Sequence, residues 1–105
     1  MIPATTIDDM VNRLVASFDP FRVILFGSCA RGETRDGSDV DLLVVMPNGT
    51  HTRKAAVEML RELRDAPAAK DVIVTTPAIL ERFGDIAGMI YYSALREGKT
   101  LYERS

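Results

Sequence analysis

Apolar side chains recur along this chain at two periods, one typical of helices and one typical of buried strands. Near the start they are spaced three or four positions apart, which predicts a first helix, at Ile7, Met10, Val11, Leu14, Val15 and Phe18. Thr5 or Thr6 is its expected N-cap. Asp19-Pro20 ends the helix, because the residue before a proline is disfavoured in the α conformation. Val23–Phe26 is wholly apolar and predicts a strand buried on both faces.

The same patterns predict two more main strands, three more helices and a short edge strand. The strands are Val40–Met46 and Asp71–Thr75. A helix is predicted over Thr52–Asp65, with Val57, Leu60 and Leu63 inward. Thr76-Pro77 opens another helix, because proline suits the first helical turn. A last helix covers Ile86–Glu97 and is followed by Gly98, and Thr100–Tyr102 forms an edge strand. Together these elements predict a small mixed β-sheet flanked by helices, an α/β (α+β) fold, in a single domain over residues 1–105.

Composition narrows the classes of protein that this domain could represent. Apolar residues make up 47% and charged residues 27%, as in an ordinary globular protein, and the net charge is −2. Proteins that track long nucleic acid carry a clustered basic face, whereas the basic residues of this chain are spread out along it. We therefore expect no long nucleic acid as a partner. No apolar run approaches the ~20 residues that span a bilayer. With one cysteine and no secretory-signal pattern at the start, we expect a cytoplasmic protein without a membrane partner.

The segment from residue 27 to residue 41 carries the candidate chemistry. Asp39 and Asp41 lie at the head of the second strand, and side chains two apart on a strand point the same way. Neighbouring carboxylates repel each other and are costly to hold unless a cation joins them. Mg²⁺ prefers such hard oxygen ligands and usually binds one or two carboxylates together with substrate phosphates. The pair therefore predicts a metal–nucleotide site.

Four residues around this pair are candidates for binding the nucleotide. Gly27 and Ser28 form a turn after the first strand, where glycine lets the backbone approach phosphate oxygens and Ser28 adds a hydroxyl donor. A plain strand-to-helix turn would also suit Gly-Ser, so the assignment depends on the aspartates. Arg31 either neutralises phosphate charge or pins the loop to an acidic neighbour. Ser38 shapes the turn into the second strand and orients Asp39.

The order Gly-Ser-Cys-Ala-Arg-Gly at 27–32, five residues, then Ser-Asp-Val-Asp-Leu at 38–42 resembles the signature of the DNA-polymerase-β-like nucleotidyltransferases. It is most similar to the minimal nucleotidyltransferase (MNT) branch, of the MntA-like antitoxin type, whose small members are often paired with HEPN-domain proteins. The resemblance implies a third carboxylate on a neighbouring strand, which is Asp71. Asp39, Asp41 and Asp71 are then the expected catalytic residues and metal ligands. Asp71 as an exposed acid at a strand edge is the alternative.

The resemblance also implies an activity. It is the Mg²⁺-dependent transfer of a nucleoside monophosphate, with AMP favoured, from an NTP such as ATP to an acceptor hydroxyl, with two metal ions. Larger relatives carry a second domain for the acceptor, and the sequence offers none. Either a second subunit, as in a homo-oligomer, completes the site or the acceptor is itself a protein, and the MNT resemblance implies a HEPN-type toxin partner as that acceptor. A non-catalytic antitoxin and a small-molecule (antibiotic) nucleotidyltransferase are the alternatives.

Overall fold

The computed structural model describes residues 2–27, 29–30 and 40–104 of the chain. Helices and strands alternate along these residues. In chain order they are α1 (Ala4–Phe18), β1 (Arg22–Phe26), β2 (Val40–Val45), α2 (Thr52–Glu62), β3 (Lys70–Thr75), α3 (Pro77–Phe83), α4 (Ile90–Glu97) and β4 (Lys99–Glu103). None of the helices in this described part is both long and apolar enough to cross a membrane.

The four strands form one mixed sheet in the order β3-β2-β1-β4. β1 pairs antiparallel with both β2 and β4, whereas β2 and β3 are parallel. A parallel pair needs a long crossover, and α2 supplies it here. The predicted mixed sheet flanked by helices is confirmed, including the edge strand near the end of the chain.

Helices pack on both faces of the sheet. On one face, α1, α2 and the residue that follows α2 contribute Met10, Leu14, Met59 and Leu63 to the larger apolar cluster, together with alternate strand residues such as Val44. On the other face, α4 places Ala94 over a smaller cluster of Ile24, Phe26 and Leu43. Successive side chains on a strand point to opposite faces. Since Leu42 and Val72 belong to the larger cluster, Asp41 and Asp71 lie on the α4 face.

The start of α1 differs from the prediction. The helix begins at Ala4, with Pro3 in extended conformation at the N-cap and no side-chain cap, so Thr5 and Thr6 lie within its first turn. The carbonyl of Pro3 accepts the Thr6 N–H, which begins the helix before either threonine could cap it. The predicted end is confirmed: Asp19 adopts a left-handed conformation and its N–H donates to the Val15 carbonyl.

The buried side of α2 also differs from the prediction. Ala55 and Met59 are buried and Leu63 follows them in the same stripe, whereas Val57 is 46% exposed. Residues four apart share one side of a helix, and Val57, two positions after Ala55, is turned about 200° away. The helix ends at Glu62 rather than Asp65.

The last helix is shorter than predicted. Residues 86–89 form turns, and α4 begins only at Ile90, after Gly88 at φ +92°. Gly98 follows the helix in extended conformation, and close packing explains its lack of a side chain. A Cβ there would lie 2.2 Å from the Ala94 carbonyl oxygen and 2.6 Å from Ile24 Cγ2.

Candidate functional site

The structure describes three of the seven predicted site residues, namely Gly27, Asp41 and Asp71. The other four, Ser28, Arg31, Ser38 and Asp39, lie outside the described residues. The geometry of the candidate site is therefore built from the ends of β1, β2 and β3.

Asp41 and Asp71 lie side by side on neighbouring parallel strands. Each is the second residue of its strand, and the register of β2 and β3 pairs them directly. Adjacent strands are spaced about 4.8 Å apart, so both carboxylates extend from one face within reach of a common cation. Phe26, the last residue of β1, pairs with Asp41 on its other side. The row across the sheet is thus Phe26, Asp41 and Asp71.

Gly27 lies against the carboxylate of Asp41. It follows β1 at φ +75°, a left-handed conformation that suits glycine. A Cβ at this position would lie 2.5 Å from Asp41 Oδ2 and 3.4 Å from Asp41 Cγ. Glycine is therefore needed both for the turn and for the space that the carboxylate occupies. The turn predicted to bind phosphate is adjacent to the first carboxylate of the row.

The two carboxylates differ in their surroundings. Asp41 is half-buried, whereas Asp71 is exposed, and Asp71 Oδ1 accepts a hydrogen bond of 2.9 Å from the Val72 N–H. No sequence pattern could have indicated this contact, because every residue other than proline has the same backbone N–H donor. Among the described residues no group of three or more side chains is arranged to hold a metal ion. Asp39, the third carboxylate of the prediction, is not in that set.

Two surface grooves lie beside α2, away from the carboxylates. One, of about 380 Å³, is lined by residues of α1 and α2 that include Ser17, Glu58 and Arg61. The other, of about 270 Å³, includes Met46 and His51. His51 is the N-cap of α2, since its Nδ1 accepts the Lys54 N–H at 3.2 Å. Neither groove contains Asp41 or Asp71, so the candidate site is the row at the ends of β1, β2 and β3.

Comparison of the sequence and of the structure with known proteins points in both cases to nucleotidyltransferases. The family model of the nucleotidyltransferase domain matches residues 7–100. A protein from Sulfolobus solfataricus classed as a nucleotidyltransferase has 23% identity and a TM-score of 0.64, over 95% of this chain and 79% of that chain. No curated protein sequence matched the chain at a significant level.

Two further solved structures with the same fold are toxin–antitoxin proteins. One, solved with AMP-PNP, has 22% identity and a TM-score of 0.63, over 93% of this chain and 74% of that chain. The other, a mutant of the MntA–HpeT toxin–antitoxin, has 18% identity and a TM-score of 0.64, over 93% of this chain and 73% of that chain. These likenesses establish the arrangement of helices and strands.

Proposed function

We propose that this chain, which belongs to the nucleotidyltransferase domain family, transfers AMP from ATP to a hydroxyl group of a HEPN-type toxin partner. The observation that carries the proposal is the pairing of Asp41 with Asp71 beside the Gly27 turn. Two carboxylates on one face, next to a turn whose glycine lets the backbone approach phosphate oxygens, form the kind of site at which metal-assisted phosphoryl transfer occurs.

The residues of the site fit Mg²⁺. Asp41 and Asp71 offer hard oxygen ligands from adjacent strands, and the absence of a Cβ at Gly27 lets the turn lie directly against Asp41 Oδ2. In the proposal Asp39 completes the set, and the three aspartates hold two ions. When bound, the ions neutralise phosphate charge and lower the pKa of the acceptor hydroxyl.

Each residue has a defined part in the proposed transfer. Gly27, Ser28, Arg31 and Ser38 bind the nucleotide, with the triphosphate at the turn after β1. Asp71 accepts the proton of the acceptor hydroxyl. The hydroxyl oxygen then forms a bond to the α-phosphorus. The bond from that phosphorus to the oxygen bridging to the β-phosphate breaks, and pyrophosphate leaves with the electron pair.

The solved neighbours support the partner and the nucleotide. Both are toxin–antitoxin proteins, and one was solved with the adenine nucleotide analogue AMP-PNP. In the MntA–HpeT mutant, two aspartates two positions apart are replaced by glutamate. The same spacing occurs here at Asp39 and Asp41. These likenesses support the proposal that the chain acts as an antitoxin of the MNT type.

The test is incubation with Mg²⁺ and α-³²P-ATP, alone and with the protein encoded by the adjacent gene. We expect label on the partner protein, and none with the Asp39→Asn/Asp41→Asn variant. Asp8→Asn, which removes an exposed charge on α1, is the matched control and should transfer normally. A stable complex without label would contradict transfer and favour the non-catalytic antitoxin. Label on an added aminoglycoside alone would favour the small-molecule enzyme.

A further inference from the structure

We propose that the acceptor protein docks as an additional β-strand on the outer edge of β3, and that docking releases Asp71 from the Val72 N–H. The inference rests on the proposed function and deepens it, since it specifies how the acceptor is recognised. It depends on three features of the described residues: an unpaired strand edge, a side chain that occupies that edge, and the order of groups across the sheet.

The first feature is the outer edge of β3. This strand is the last of the sheet, with β2 on one side only. The Thr75 carbonyl accepts the Met46 N–H, so the odd-numbered residues of β3 direct their backbone groups toward β2. By alternation, the backbone groups of Val72 and Val74 point outward. Within the described ranges no strand pairs with them, and such an edge is a template for an added strand.

The second feature is the contact between Asp71 and Val72. Asp71 Oδ1 accepts the outward-pointing Val72 N–H at 2.9 Å, in the place where the carbonyl of an added strand would bind. The carboxylate that the mechanism needs as a base is therefore engaged at the edge while no described strand is paired there. An added strand competes for the same N–H and sets the carboxylate free to turn toward Asp41.

The third feature is the order of groups across the sheet. From β1 outward, the order is the Gly27 turn, then Asp41, then Asp71, then the open edge. An in-line displacement places the leaving group and the attacking hydroxyl on opposite sides of the phosphorus. With pyrophosphate at the Gly27 turn, the attacking hydroxyl must approach from the β3 side.

An added strand on β3 would bring a hydroxyl within reach of Asp71. Directly paired residues on adjacent strands have Cβ atoms about 4.5–5.5 Å apart, so a serine, threonine or tyrosine level with Asp71 lies beside its carboxylate. The outer edge of β4 does not offer this geometry. β1 and β2 lie between it and Asp71, and an acceptor there would approach from the side of the leaving group.

Amide hydrogen exchange measured by NMR tests the docking edge directly. The ¹⁵N-labelled chain is compared alone and in complex with the unlabelled protein encoded by the adjacent gene. We expect exchange at the Val74 amide, which pairs with no described strand in the free chain, to slow at least tenfold in the complex. The outward amides of β4 serve as the matched control and should not change. A complex that forms without protection at Val74 would overturn the edge-docking proposal.

The same samples separate this inference from the proposed function. Transfer of label without protection at Val74 would leave the transferase standing and refute docking on β3. Protection at Val74 without transfer by the wild-type chain would refute the transferase and leave the edge as a binding surface. Protection with transfer is the result that we expect.

Two variants test the contact between Asp71 and Val72. Asp71→Asn keeps a side-chain oxygen for the Val72 N–H, whereas Asp71→Ala leaves that N–H open to an added strand. Both should lose transfer. We expect the alanine variant to bind the partner protein several-fold more tightly than the asparagine variant, measured by calorimetry. Equal dissociation constants would show that Asp71 does not compete with the docked strand.

Discussion

Gly27 combines a left-handed backbone conformation with a contact to Asp41, a predicted metal ligand. Gly27→Ala would add a Cβ 2.5 Å from Asp41 Oδ2, at φ +75°. We expect the displaced carboxylate to lower kcat/KM for transfer about 100-fold, the loss typical of a misplacement near 1 Å. The left-handed backbone costs about 1–2 kcal/mol for alanine, which a urea titration would measure.

Gly49→Ala separates the two effects. Gly49 has φ +91° and no atom within 4 Å of a built Cβ, so it carries the backbone cost without the contact. This variant should lose similar stability and keep its rate of transfer. If both variants transfer equally well, the space beside Asp41 has no part in the reaction.

The Asp41–Asp71 pair makes a prediction about metal binding at the level of single side chains. Mg²⁺ that binds only the folded chain raises its melting temperature, and we expect a rise of a few degrees for the wild-type protein. Asp41→Asn should abolish that rise, measured for each variant as the difference between its melting temperatures with Mg²⁺ and with EDTA, because it removes a carboxylate paired with Asp71. Asp85→Asn, at a 96% exposed side chain, is the control and should respond to Mg²⁺ normally. An unchanged response in Asp41→Asn would remove Asp41 from the metal ligands.

At the scale of elements, the contact between α1 and the end of α2 predicts a dependence on pH. Arg13 donates to Asp65 Oδ1 at 2.7 Å and to the Glu62 carbonyl. The hydrogen bond from Arg13 lowers the pKa of Asp65 below its ordinary value. A lowered pKa in the folded state stabilises the fold at neutral pH, and this contribution is lost as the pH falls through that pKa.

The measurement is the difference in melting temperature between the wild-type chain and Asp65→Asn across pH. We expect the variant to melt lower at pH 7 and the difference to shrink as the pH falls through the lowered pKa of Asp65, below which neither side chain carries a charge. Asp8→Asn on α1, the helix that carries Arg13, removes a charge without this contact and should show no such trend. A difference that persists at low pH would assign the effect to packing rather than to charge.

α2 shows where periodicity alone is insufficient. The apolar residues of this helix can be fitted to more than one face, and the choice between Val57 and Met59 depends on how the helix packs against the sheet. Met59→Ala should destabilise the fold by about 2–5 kcal/mol, because Met59 is 0% exposed. Val57→Ala should change stability by less than about 0.5 kcal/mol, because Val57 is 46% exposed. Urea unfolding of both variants measures the contrast.

At the scale of the whole molecule, the sheet was predictable from the sequence and the pairing of its strands was not. The apolar runs of β1, β2 (which only Asp41 interrupts) and β3 placed each strand within one residue of its observed ends. Asp41 pairs directly with Asp71 because β2 and β3 lie in one particular parallel register, although the two residues are thirty positions apart in the sequence. No local pattern encodes that register. The resemblance to nucleotidyltransferases supplied Asp71, and the family match confirmed that resemblance.

The register of β3 also bears on how the gene for this chain can change. Val72 and Val74 belong to the larger core cluster, and they fix which side chains of β3 face α4. One codon inserted within β3 would exchange the two faces of the strand and turn Asp71 toward the core. One codon inserted in the connection at residues 63–69 can be absorbed before the strand begins. In sequences related to this chain, insertions and deletions should therefore occur before Lys70 and be absent between Lys70 and Thr75.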